Sequence, residues 1–241
     1  MRSFTFNLVF WPVLALFAVL AWLVALAGWQ GGVRTVMRTA CRTIRGLMHH
    51  VLGAPVEVRG TIPTGLPVII AAKHQSWADG FLMMAILGDT NFVIGNEIQS
   101  FPLVGRIVAA SGATMVNSPG LSGAQGALQD AIERAADDPR PLLIYPEGRL
   151  PPVGESYRYR KGVHLMYETL GRTVIPVATN TGLRWPQNQW RKFPGPAVVE
   201  FLDPIPPGLP RDDFLPRLKI TIETRTRALE AEGQAATETV S

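Results

Sequence analysis

Hydrophobic and polar positions fall into three regimes along the chain. Residues 4–29 carry no charge and are apolar almost throughout. A charge-free run longer than about 18 residues predicts a membrane-embedded helix, because a helix packed on a protein core keeps a polar face. Trp11, Trp22 and Trp29 suit interfacial depths. Pro12 permits a kink, so a re-entrant hairpin within one leaflet stands beside full crossing. A cleaved signal peptide competes, since Arg2 precedes the run and Ala25-x-Ala27 resembles a cleavage site. Two features weigh against it: the run exceeds an h-region of roughly 7–15 residues, and the arginines follow it.

The second regime is mixed. Arg34, Arg38, Arg42 and Arg45 recur at spacings of four, four and three, which is one face of a helix. Val36, Met37, Ala40, Cys41, Ile44, Leu47, Met48 and Val51 occupy the remainder. Directly after a membrane segment, this reads either as an interfacial helix on anionic lipid or as a helix packed on the globular part with a solvated arginine face. His49 and His50 close it, where cationic side chains suit the helix dipole. The positive flank places the bulk of the protein on the cytoplasmic face of the membrane, the cell inner membrane in a bacterium.

From residue 56 onward, short β-rich runs alternate with helical stretches. Strands are expected at 56–60, 67–72, 91–94, 112–117, 141–145, 173–179 and 197–201. Helices are expected at 79–87, 97–100, 102–110, 122–137 and 162–170. This alternation implies an α/β fold, a mostly parallel sheet flanked by helices, preceded by an N-terminal membrane-binding helical segment. Residues 203–214 read as a proline-rich loop, 214–230 as a last amphipathic helix and 233–241 as a disordered tail. The expected domains are 1–52 for the membrane segment and basic helix, 53–232 for the α/β domain, and 233–241 for the tail.

Composition narrows the function classes. With 241 residues, 47% of them hydrophobic and 17% charged, the chain supports one substantial core. A net charge of +4 and a pI near 9.6 suit an anionic membrane surface or a phosphorylated substrate. No RNP block, zinc-finger spacing or lysine-rich run points to nucleic acid. The single cysteine, Cys41, excludes an intramolecular disulfide and a multi-cysteine metal site.

Two strand ends carry candidate chemistry. His74 follows the apolar run 68–72, and Asp79 lies five residues later, in the first turn of the next helix. The carboxylate can fix the imidazole tautomer and stabilise the imidazolium, leaving the other nitrogen as a general base. No Gly-x-Ser-x-Gly elbow supplies a protein nucleophile, so the base acts on a hydroxyl of the substrate. The run 142–145 ends abruptly in Pro146-Glu147-Gly148-Arg149, followed by Arg158, Arg160 and Lys161 at the start of a helix. Such a cationic cluster is suited to phosphate. Pro176 interrupts the strand at 173–179, which suggests an edge or a bulge.

In this order the segments resemble the glycerolipid acyltransferase family, whose archetype is 1-acyl-glycerol-3-phosphate acyltransferase. Its Asn-His-x4-Asp block is matched by His74 and Asp79, with Lys73 where asparagine is usual. Its Phe-Pro-Glu-Gly-Thr-Arg block resembles the stretch from Tyr145 to Leu150, and Phe-Lys-x-Gly is echoed by Tyr159-Arg160-Lys161-Gly162. A Val-Ile-Pro-Val strand is similar to residues 174–177. Three further positions depart: Ser118 and Leu150 stand where arginine is usual, and Arg149 stands where threonine is usual.

The resemblance implies acyl transfer from acyl-CoA or acyl carrier protein to the free hydroxyl of a lysolipid, 1-acyl-glycerol-3-phosphate first. It implies His74 and Asp79 as the catalytic pair and no metal or redox cofactor. Glu147, Gly148, Arg149, Arg160, Lys161 and Pro176 then contact the acceptor, with Arg106 a further source of positive charge. The lost arginines leave acylation of a lyso-ornithine lipid or another lysophospholipid open. A non-catalytic lipid-binding protein of the same fold is a further alternative, as is a metal-dependent hydrolase ligated by His74, Asp79 and Glu147.

Overall fold

The computed structural model describes residues 1–63, 65–95, 98, 100–116 and 124–238. Ser118, parts of the helices expected at 97–100 and 122–137, and the end of the strand expected at 112–117 lie outside them. Seven strands form one sheet: β1 (Val56–Arg59), β2 (Ile69–Ala72), β3 (Asn91–Gly95), β4 (Thr114–Val116), β5 (Leu142–Ile144), β6 (Val174–Thr179) and β7 (Ala197–Phe201). Their order is β1-β7-β6-β2-β5-β3-β4.

Four helices carry the chain between parallel strands, as such crossovers require. They are α3 (Ala78–Leu87), α4 (Pro102–Ser111), α5 (Ala124–Ala136) and α6 (Lys161–Leu170). The link from β6 to β7 contains only a 3-10 turn at Thr181–Leu183, and this pair is antiparallel. β1 then pairs in parallel with β7. Gly60 leaves β1 at φ +77°, where a Cβ would lie 2.0 Å from the Phe201 carbonyl oxygen, so the turn demands glycine.

β2, β5 and β6 are buried at every position, as expected for strands covered on both faces. Ile69, Ala71, Leu142, Ile144 and Val174 face α5, α6 and the last helix, α7 (Arg211–Glu238). Ile70, Ala72, Leu143, Ile175 and Val177 face α3, represented by Met83. Strand order reverses around β2, β5 and β6, so their carboxyl ends lie side by side at one edge. In α/β sheets this is where ligands bind.

The N-terminal segment is a helical hairpin of α1 (Arg2–Leu26) and α2 (Gln30–Leu47), the latter extended by a π turn at Met48–Leu52. One stripe of α1, formed by Phe6, Phe10, Leu14, Ala18, Ala21 and Ala25, packs on the protein along the helix's whole length. The opposite side, with Leu8, Trp11, Leu16, Val19, Leu23 and Leu26, is bare. Phe6, Phe10, Ile44, Met48 and Leu52 share one core with Ala78, Leu82 and Trp185. This core joins residues on both sides of the boundary expected at 52/53. α2 is the packed alternative, with Val33, Ala40, Cys41 and Ile44 buried. Arg34 pairs with Asp89 at 3.4 Å, and Arg45 donates to the Val56 carbonyl at 3.2 Å.

The tail expected from 233 is corrected: α7 runs to Glu238, and Gly233 lies buried where Arg184 donates to its carbonyl at 2.8 Å. Packing on Leu183 and Asn180 at that point extends the helix beyond its apolar stripe.

Candidate active site

β2 ends at Ala72, and the next two residues point to opposite faces of the sheet, as strand alternation requires. His74 reaches the α3 side. Its Nδ1 lies 3.0 Å from Oδ2 of Asp79, in the first turn of α3. The same oxygen accepts the backbone N–H groups of Gln75 at 2.7 Å and Ser76 at 2.9 Å. Oδ1 accepts the hydroxyl of Thr181, at the carboxyl end of β6.

An ionised carboxylate only accepts, so Nδ1 carries the proton and Nε2 presents a lone pair. No described residue hydrogen-bonds to Nε2. The imidazole is 18% exposed while Asp79 is 2% exposed, so solvent reaches the ring and not the carboxylate that orients it. The Tyr145 ring stacks on the imidazole, with centroids 3.9 Å and planes 16° apart. Burial, then the nearby Asp79 charge, holds the Tyr145 phenol well above its ordinary range, so it stays neutral.

Lys73 reaches the opposite face and is buried. Its Nζ donates to Glu147 Oε1 at 2.6 Å, to both oxygens of Glu223 at 3.0 Å, and to the Glu155 carbonyl at 3.0 Å. Glu147, after β5, accepts the His74 backbone N–H on its other oxygen at 3.1 Å. Burial pushes Glu147 up to about 7, against the opposing pull of Lys73. Two carboxylates therefore clamp the turn after β2, Glu147 at its first amide and Asp79 at the next two.

The family model described as "Acyltransferase" matches residues 55–180, from the start of β1 to the residue after β6, including all of these groups but Thr181 and Glu223. The chain belongs to the acyltransferase family. The 1-acyl-sn-glycerol-3-phosphate acyltransferase of Pseudomonas aeruginosa is 29% identical over 208 residues, 84% of this chain and 77% of that protein. The protein of the same name from Cocos nucifera is 27% identical over 161 residues, 66% of this chain and 52% of its own length. The crystal structure of the 1-acyl-sn-glycerophosphate acyltransferase from Thermotoga maritima shares the fold, with a TM-score of 0.77 at 19% identity, covering 96% of this chain and 98% of that one.

Within this acyltransferase the remaining residues singled out by sequence divide. Gly148 sits at φ +67° with the Arg160 side chain packed across it, and Arg160 Nε lies 3.4 Å from the Glu147 carbonyl. Arg149 holds its guanidinium 3.9 Å above the Tyr157 ring. Lys161 is exposed at the start of α6. These stay near the end of β5. Arg106 is exposed on α4, a separate element.

Pro176 is set apart from these residues. It is buried inside β6, in register with Ala71, and contributes no side chain to the edge where His74 sits. Its backbone faces the β7 side, where Leu202 donates to its carbonyl and pairing resumes at Val174 with Ile205. The bulge absorbs the missing N–H.

Asp79 and Glu147 direct their oxygens at protein donors rather than at a common point. Among the described residues no group of three His, Cys, Asp or Glu is arranged to hold a metal ion. Cys41 is buried in α2, and its thiol is pushed up to about 12, so it stays protonated.

Sequence reasoning missed Thr181, Tyr145 and Glu223 as members of the site. The one available signal was polar spacing on the buried face of α7, where Glu223, Thr226 and Glu230 are all buried.

Proposed function

We propose that the chain transfers an acyl group from a thioester donor to the free hydroxyl of 1-acyl-glycerol-3-phosphate, giving phosphatidic acid. The observation that carries this reading is the 3.0 Å contact between His74 Nδ1 and Asp79, with Nε2 bonded to no described residue at the carboxyl edge of the sheet. Nε2 takes the hydroxyl proton as that oxygen attacks the thioester carbonyl. The tetrahedral oxyanion collapses, the carbon–sulfur bond breaks, and the imidazolium returns its proton to the departing thiolate. Asp79 balances the imidazolium charge while it exists. Acyl-CoA and acyl carrier protein are the two donors of this chemistry. Arg149, Arg160 and Lys161, grouped after β5, meet the acceptor phosphate in place of the arginines lost at 118 and 150.

The chain works at a membrane. α1 has a mean hydropathy of 2.5 over its most apolar window and leaves one apolar side bare along its length. Because the other side is fastened to the protein throughout, the helix lies in one leaflet and does not cross freely. Trp11 and Trp190 stack with centroids 6.2 Å apart, and exposed indoles of this kind favour the membrane interface. Arg38 and Arg42 face anionic headgroups from the cytoplasmic side.

A second reading, acylation of a lyso-ornithine lipid, is favoured by Leu150 standing where arginine is usual. The lyso-ornithine lipid O-acyltransferase of Rhizobium meliloti is 26% identical over 98 residues, 41% of this chain and 33% of that protein. Detergent-solubilised protein and His74→Ala, each with both donors and with lysophosphatidic acid, lysophosphatidylcholine or lyso-ornithine lipid, separate the two. Transfer to lysophosphatidic acid that survives EDTA and vanishes in the variant is the expected result. Transfer to another acceptor alone replaces the substrate and keeps the mechanism; transfer undiminished in His74→Ala overturns the mechanism.

A further inference from the structure

A buried lysine directly before the catalytic histidine calls for a reason. An ammonium taken out of water costs several kcal/mol unless its partners are close and well aligned. Where asparagine is usual, this chain places Lys73 with no side-chain exposure. Two carboxylates converge on it from distant parts of the sequence. Glu147 comes from the end of β5 at 2.6 Å, and Glu223, in the middle of α7, is bidentate at 3.0 Å. Tyr159 donates its hydroxyl to Glu223 Oε1 at 3.0 Å, so the carboxylate is held from a second direction. The contact is not a surface pair, since Lys73, Glu147, Glu223 and Tyr159 are all buried.

Each link constrains the next. Tyr159 holds Glu223, and Glu223 fixes the position of Nζ. Nζ fixes Glu147 Oε1, which turns Oε2 onto the His74 backbone N–H at 3.1 Å. That amide is where the catalytic turn begins, and a displacement there swings the imidazole relative to Asp79. Misplacement of a reacting group by about 1 Å is enough to cost about a hundredfold in rate.

We propose that Lys73 and Glu223 are positioning residues, and that α7 sets the catalytic geometry through the chain Glu223–Lys73–Glu147–His74 N–H. The inference rests on His74 as the base. It gives the C-terminal helix, which the family match ending at residue 180 does not reach, a part in the reaction. It also gives the departure at position 73 a physical reason: the cation belongs with the second carboxylate on α7.

The test is a double-variant cycle on full-length protein in detergent, read as kcat and KM separately with unfolding curves for every variant. Lys73→Asn leaves two buried carboxylates facing each other and is expected to lower kcat about a hundredfold at nearly constant KM. Lys73→Asn with Glu223→Gln removes both charges and is expected to recover kcat to within about fivefold of wild type. Where Lys73→Asn does not fold, Glu223→Ala decides, since it leaves the Lys73–Glu147 pair; its kcat is expected to fall about tenfold at unchanged KM. A double variant no better than Lys73→Asn alone, or Glu223 variants with wild-type kcat, overturn the inference. His74→Ala in the same assay separates the two failures. If it is inactive while the Glu223 variants match wild type, only the positioning role falls; if it remains active, the base assignment falls and takes this inference with it.

Discussion

The imidazole of His74 lies flat on the phenol ring of Tyr145, with centroids 3.9 Å and planes 16° apart. Asp79 fixes one ring nitrogen, and Tyr145 fixes the plane in which the ring turns. Together they point Nε2 in a single direction, the preorganisation that the role proposed for His74 requires.

The Tyr145 hydroxyl is buried and has no hydrogen-bond partner among the described residues. The stacking face therefore matters and the oxygen does not. Tyr145→Phe is expected to keep kcat within about twofold and to gain up to about 1 kcal/mol in stability by removing an unsatisfied group. Tyr145→Ala should cost about 3 kcal/mol through the cavity it opens, and should lower kcat at least tenfold by freeing the ring. Steady-state kinetics and urea unfolding of both variants measure this.

Thr181 donates to the Asp79 oxygen that His74 does not use. Thr181→Val preserves shape and removes the donor. Loss of a hydrogen bond to a buried charge is worth roughly 1.5–3 kcal/mol, so kcat should fall by one to two powers of ten. Thr181→Ser restores the hydroxyl and should stay within about threefold of wild type. A kcat unchanged in Thr181→Val would show that Asp79 is held without it.

Glu147 has a definite pH signature. Burial raises its carboxyl from 4.5 to about 7. Between those values the folded protein binds the proton that the unfolded chain has released. Stability therefore falls as pH rises across that window, while below about 4.5 the contribution is fully present. Lys73 and Glu223 face the carboxyl, Tyr159 lies close, and the His74 amide donates to it. Glu147→Gln removes the titration. The stability of wild type relative to Glu147→Gln should decline between pH 5 and 7.5 in urea unfolding, and a difference that is flat with pH would contradict the assignment.

The bare side of α1 is expected to hold the protein on lipid. Leu16→Glu combined with Leu23→Glu places two charges in that side without touching the packed stripe. Each charge costs about 2.5 kcal/mol or more at depth, so co-sedimentation with lipid vesicles should drop at least tenfold while Tm in detergent is unchanged. Reversing Arg38 and Arg42 to glutamate should weaken binding to anionic vesicles and leave neutral ones little affected.

The sequence by itself determined the elements and the meeting of His74 with Asp79. All seven strands were legible because a buried strand and an amphipathic helix impose their periods on a few consecutive residues. His74 and Asp79 were legible because a strand-to-helix turn brings residues five apart together without help from the rest of the chain. The packed stripe of α1, by contrast, hides in a helix that is apolar on every side, where no pattern distinguishes the face against protein from the face against lipid. Thr181 and Glu223 stand 102 and 150 positions from their partners Asp79 and Lys73. Their contacts exist because β6 lies beside β2 and α7 crosses the face to which Lys73 points. Strand order, the antiparallel turn from β6 to β7 and the helical course of residues 233–238 are likewise packing outcomes. Local sterics choose an element from its own residues, whereas a buried charge finds its partner only when the sheet has brought distant segments together.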